Sequence, residues 1–225
     1  VNKYLLKATA MLLQQLSFPD FGPVPAALGG LRPGRTHRGE SRRATERYFF
    51  AVPVPRETRP ALAALTGSLI ARHGLSGKPR PPQNLHATVF SLGEYEVQQP
   101  ELVALARRFA ANIQARPFSV TWDRVRSLPR GGRTSPLVLC GEAGARGSVE
   151  GLAGLHELFR IPMIERGFIR PAARKFTPHV TLLHDEEILD EPIAPIGWRV
   201  TEFTLVHSLL GQARQIVLGR WPLRG

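Results

Sequence analysis

The chain has 225 residues, 43% of them hydrophobic, and carries 30 basic against 18 acidic side chains for a formal net charge of +12. That apolar fraction excludes an intrinsically disordered chain, and a positive charge made mostly of arginine favours a polyanionic partner. Cys140 is the only cysteine, so neither a disulfide framework nor a cysteine metal cluster can form within the chain. No run approaches the ~18 consecutive apolar residues of a membrane span, and no histidine spacing matches a compact ligand set. The expectation is a metal-free, cofactor-free, cytoplasmic protein with no membrane contact, acting as a monomer.

Taken in chain order, residues 1–45 differ from the rest. Val1 to Leu16 could form a short helix, with Leu5, Leu12 and Leu16 on one side, but the following stretch to Ala44 is rich in Pro, Gly and Arg and has no periodicity. This reads as a flexible basic extension. A signal peptide is the rival reading, and Gln14 and Gln15 interrupt the apolar run it would need. From residue 46 the pattern becomes that of one folded domain, 46–225. "RYFFAVPV" reads as a strand, Glu57 to His73 as a helix, Asn84 to Leu92 as a strand and Glu101 to Ala115 as a second helix. "FSVTWDRVRSL" alternates as a half-exposed strand, "PLVLCG" is a shorter buried one, Ser148 to Arg166 is helical and Thr177 to His184 is a strand. Two further strands, Gly197 to Ser208 and Gln215 to Trp221, close the chain.

The chemistry lies in two tripeptides of one form, His86-Ala87-Thr88 and His179-Val180-Thr181, each inside a strand-like run, "NLHATVFSLG" and "FTPHVTLLHD". Shuffling 7 His and 12 Thr through this length yields about 0.4 such matches, so two in matched settings carry information. Alternation along a strand sends each His and its Thr to one face, while Leu85, Ala87 and Val89, or Val180 and Leu182, face a core. Two such strands across a groove would surround a small anion with two proton-transfer groups and two hydroxyl donors, and a phosphate ester is the obvious candidate. A faint repeat points the same way: strand, helix, loop and motif strand occur twice. Counted from Glu57 and from near Glu150, the two helices start about 29 residues ahead of their motif histidines, which supports two similar lobes sharing one groove.

These runs, together with the opening "RYFFAVPVP" and the closing "WRVTEFTLVHSLLG" and "VLGRWPL", resemble in order and spacing the two-histidine (2H) phosphoesterase superfamily. Within it, they are similar to the 2′-5′ RNA ligase or RNA 2′,3′-cyclic phosphodiesterase group, over about residues 46–225. The resemblance implies an α+β, bilobal fold: two pseudo-symmetric lobes of antiparallel sheet with flanking helices and an active-site groove between them. It implies metal-independent opening of an RNA 2′,3′-cyclic phosphate to a 2′-phosphate, with 2′-5′ ligation as the reverse reaction. His86 would donate a proton to the leaving 3′ oxygen, His179 would accept one from water, and Thr88 and Thr181 would bind the phosphate. Two points depart from the pattern: Ala87 and Phe90 in the first motif, and the 45-residue extension.

Arg130, in "LPRGGR", and Lys175, beside the second motif, are further candidates for contacting phosphate or RNA backbone, and Phe176 and Phe50 for stacking on a base; for both aromatics core packing is the commoner role. The other histidines have weaker cases: His73 and His156 fall on predicted helices, and His184 falls on the strand face opposite His179. The expected partner is an RNA end bearing a 2′,3′-cyclic phosphate. The alternatives are a small cyclic nucleotide such as an ADP-ribose cyclic phosphate, and a non-catalytic RNA-binding module. Phosphate binding alone needs Arg or Lys more than a neutral imidazole, which counts against the module.

Overall fold

The structure, a computed structural model, describes residues 44–129, 131–141, 149–165 and 176–224. The helix expected over Val1 to Leu16, most of the extension, Arg130 and Lys175 lie outside the described residues. Within them the chain runs β1 (Glu46–Pro53), α1 (Arg59–His73), a 3₁₀ turn (Pro82–Asn84), β2 (His86–Tyr95), α2 (Pro100–Ala110), β3 (Phe118–Ser127), β4 (Ser135–Cys140), α3 (Glu150–Glu165), β5 (Val180–Asp185), β6 (Asp190–Val200), β7 (Glu202–Leu209) and β8 (Arg214–Pro222).

The strands form one antiparallel sheet in the order β6-β3-β4-β5-β2-β1-β7-β8. Its two four-stranded halves meet where β2 and β5 pair at Ala87 and Val180. Reading outward from that seam, one half runs β2-β1-β7-β8 and the other β5-β4-β3-β6. Each half contains a strand-helix-strand unit, β1-α1-β2 and β4-α3-β5. This is the repeat the sequence suggested, and α1 and α3 begin 27 and 29 residues ahead of His86 and His179. The bilobal α+β architecture is therefore present, with the two motifs flanking the seam.

The helices cover one face of the sheet. α1 starts at a Pro-containing first turn and stops at Gly74, whose φ of 64° is the left-handed conformation that a glycine adopts without a Cβ penalty. It buries Leu62, Thr66 and Leu69, a stripe spaced by four and three residues, as a helix face requires. On α3, Leu152, Leu155 and Phe159 are buried in the same way. Phe159 sits at the centre of the core: its ring lies 4.5 Å from Phe50, 5.3 Å from Phe203 and 5.8 Å from Phe109 of α2. Phe50, a candidate for base stacking, is fully buried in this cluster and unavailable to a ligand.

One element departs from the expectation. The run expected as a single strand from Gly197 to Ser208 is two strands, β6 and β7, broken at Thr201, and β6 begins back at Asp190. Pro192 and Pro195 argue against a strand there on residue preference alone. They are tolerated because β6 is the sheet edge, where a residue lacking an N–H need leave no ladder donor missing.

Candidate active site

Alternation places the motif residues as the sequence predicts. Leu85, Ala87, Val89, Val180 and Leu182 are each 5% exposed or less and pack into the core. His86, Thr88, His179 and Thr181 turn to the opposite, open face and line one cleft of about 550 Å³. The two halves are alike in detail. His86 Nδ1 lies 2.7 Å from the Asn84 carbonyl oxygen, and His179 Nδ1 lies 2.7 Å from that of Thr177, in each case two residues back along its own chain. A carbonyl only accepts, so Nδ1 carries the hydrogen in both rings, and Nε2 is the nitrogen that gains or loses a proton.

The likeness continues past each Thr. In β2, Phe90 pairs with Phe50 and Thr88 with Ala51, which leaves Val89 as an extra, bulged residue. In β5, Leu183 pairs with Leu137 and Thr181 with Val138, which leaves Leu182 extra at the equivalent place. A bulge shifts the alternation by one, so two successive side chains are buried in each strand and the next one returns to the cleft side. That brings Ser91 and His184 into the cleft lining. The expectation that His184 lies on the face opposite His179 is corrected here, and the bulge at Leu182 is the cause.

Each bulge exposes a carbonyl, and each is satisfied from another element. His156 of α3 donates Nδ1–H to the Val89 oxygen at 2.7 Å, and the Arg80 backbone N–H donates to the Leu182 oxygen at 2.7 Å. The loop carrying Arg80 is seated against β5. The Asp185 carboxylate accepts the N–H groups of Gly77 at 2.6 Å, Ser76 at 2.8 Å and Glu187 at 3.1 Å, and these bonds, led by that from Glu187, hold its carboxyl below the usual range. A Cβ on Gly77 would lie 2.0 Å from the His184 oxygen, so the approach admits only glycine.

The loop thereby delivers the Arg80 side chain to the cleft, where Arg47 is also present. Arg47 is ion-paired with Glu94, its Nε 2.8 Å from the carboxylate. The Phe49 ring stacks on His86 at 4.8 Å between centroids. Removal from water pushes the His86 imidazolium down to about 4, against the Asn84 bond, and the positive charges of Arg80 and Arg47 push the same way. The cleft thus holds a neutral His86 near Arg80 and the Glu94-paired Arg47, an arrangement that favours an anion. Among the described residues no group of three or more His, Cys, Asp or Glu side chains could hold a metal ion. None of the described helices is long and apolar enough to cross a membrane.

Of the other sequence candidates, Phe176 is not among the cleft-lining residues; its ring stacks on His156 at 4.1 Å and packs against the core. It and His156 thus tie the segment leading into His179 to the bulge that follows Thr88. Sequence reasoning overlooked Arg47, Arg80, Ser91 and the cleft position of His184. The available signal was the arginine in "KPRPPQN" just ahead of the first motif.

Comparison with known proteins agrees with this geometry. The family model of the 2′-5′ RNA ligase superfamily matches residues 53–212. The chain is 31% identical over 183 residues to the RNA 2′,3′-cyclic phosphodiesterase of Escherichia coli (strain K12), covering 79% of this chain and 97% of that protein. It is 34% identical over 196 residues to the protein of the same name from Thermus thermophilus, covering 80% and 91%. Among solved structures, TT0787 of Thermus thermophilus superposes with a TM-score of 0.63 at 26% identity, covering 80% of this chain and 98% of that one. A family match across most of the chain, relatives spanned almost end to end and two mirrored His-x-Thr strands in one cleft lead to one conclusion: this chain belongs to the 2′-5′ RNA ligase superfamily.

Proposed function

We propose that the chain is a metal-independent RNA 2′,3′-cyclic phosphodiesterase that opens the cyclic phosphate to a 2′-phosphate, with 2′-5′ ligation as its reverse. The observation that carries the reading is the mirrored pair of imidazoles, each pinned through Nδ1 and each beside a threonine hydroxyl in one cleft. In-line displacement at phosphorus needs a base on the attacking water and an acid on the leaving oxygen, on opposite sides. One imidazole from each half supplies them.

In this reading His179 Nε2 takes the proton from water and His86 Nε2–H protonates the leaving 3′ oxygen. Thr88 and Thr181 donate to the non-bridging oxygens, whose charge builds as the ring opens. His86 is neutral without a bound anion, so it takes up its proton from solvent as the substrate binds. The phosphate's negative charge offsets Arg47 and Arg80 and raises the imidazole toward the range where it can act as an acid. Arg80, outside the sequence candidates, takes a place among the phosphate-binding groups.

The relatives in Escherichia coli and Thermus thermophilus that bear this activity in their names support RNA over a small nucleotide as substrate. The test is incubation of an RNA ending in a 2′,3′-cyclic phosphate, with EDTA present, and identification of the product phosphate. A 2′-phosphate is expected, with turnover reduced about 10²–10⁴-fold by His86→Ala or His179→Ala. A 3′-phosphate product, or single variants with near-normal rates, refutes the assignment.

A further inference from the structure

The cleft does not end at His86. Asn84, His86 and Gln215 also border a second hollow, of about 180 Å³, over the open face of β1, β7 and β8. Three guanidinium groups line it: Arg56 and Arg59, just beyond the end of β1, and Arg220 on β8. Arg59 is anchored by Nε–H to the Val54 carbonyl at 3.1 Å. Arg220 Nη1 lies 2.5 Å from Glu202, the carboxylate in the hollow's lining, which offsets one of the three charges and leaves the hollow at +2. Among these charges stands Val217, 45% exposed, with Val206 and Thr204 beside it. Cationic forks around an apolar patch suit a nucleotide, with phosphate on the arginines and the face of a base on the valine.

An RNA terminus also has a direction. The cyclic phosphate is at the 3′ end, and the strand continues from the other side of the terminal ribose. With the leaving 3′ oxygen on the His86 side of phosphorus, that ribose lies on the same side and the strand departs past His86, where the hollow opens. We infer that the hollow is the subsite for the nucleotide upstream of the cyclic phosphate, its phosphate held by Arg56, Arg59 and Arg220 and its base laid over Val217. This rests on the reading of His86 as the acid. It makes the arginines the reason for preferring RNA: a mononucleotide occupies the cleft and leaves the hollow unused.

The test compares a mononucleoside 2′,3′-cyclic phosphate with a dinucleotide ending in the same group, in the unaltered chain and in Arg56→Gln and Arg220→Gln. A charge-assisted contact to one extra phosphate predicts about tenfold higher kcat/KM for the dinucleotide, falling to about threefold or less in either variant, with the mononucleotide rate within about twofold throughout. The dinucleotide should also show the steeper fall with salt, by roughly 0.7 in log–log slope for each added phosphate contact. Equal rates for the two substrates in the unaltered chain, or variants that depress both alike, overturn the subsite. An unaltered chain that opens neither substrate refutes the catalytic reading instead. The subsite then stands or falls on titration with the 2′-phosphorylated products, where it requires about tenfold tighter binding of the dinucleotide, lost in both variants.

Discussion

The proton on His86 is the point at which the structure makes its most quantitative claim. In the unfolded chain an imidazole titrates near 6.5, whereas in the folded cleft it is pushed down to about 4. Between those values the unfolded state binds more protons than the folded one, so stability must fall as pH falls through that window. The full stability is present above pH 6.5. Linkage gives a loss from this residue of about 2 kcal/mol at pH 5 and about 3 kcal/mol at pH 4. His86→Asn retains an N–H donor for the Asn84 carbonyl and removes the titration. Urea unfolding of both chains from pH 8 to pH 4 should show the unaltered one losing about 3 kcal/mol more than the variant. Sulfate, which stays dianionic over this range, should narrow the gap by raising the imidazole in the folded state, and the NMR titration of the His86 ring should move upward with it. Parallel pH dependences for the two chains, within about 0.5 kcal/mol, would refute the claim that the cleft desolvates His86.

Replacing His156 with Leu leaves the Val89 carbonyl without its donor and should cost about 1–3 kcal/mol in denaturant unfolding. Turnover should fall chiefly in kcat, since the bulge that aims Thr88 and Ser91 loses its support, and His156→Gln, which can still donate, should recover part of both. Thr88→Val and Thr181→Val keep the side-chain shape and remove the hydroxyl. Each is expected to lower kcat about 10²–10³-fold with stability little changed, and a loss confined to KM would show that the hydroxyls bind substrate and transition state alike. Removal of residues 1–43 should leave a folded, active protein. The cut belongs before Thr45, whose backbone N–H bonds the Tyr95 oxygen at 2.9 Å and whose carbonyl accepts the Leu210 N–H at 2.8 Å. Loss of the cooperative unfolding transition on truncation would place essential structure in the extension.

Strand alternation is local, so the sequence alone determined much of this protein. The two-residue period places His86, Thr88, His179 and Thr181 on one face and Leu85, Ala87, Val89, Val180 and Leu182 in the core, whatever the rest of the chain does. The paired strand-helix-strand order likewise announced two similar halves. What only the tertiary structure decided are features set by a partner distant in the chain. A bulge is a mismatch in count between two paired strands, so its presence at Leu182, and with it the turn of His184 into the cleft, could not be read from β5 alone. Arg80 reaches the site because its loop is bonded to Asp185 and Leu182, about a hundred residues further along. β6 accepts two prolines because it lies at the sheet edge, a position that strand order assigns and residue preference does not. The depressed pKa of His86 has the same origin. The imidazole is named by the sequence, but its proton affinity is set by the desolvation and the cationic neighbours that folding gathers around it.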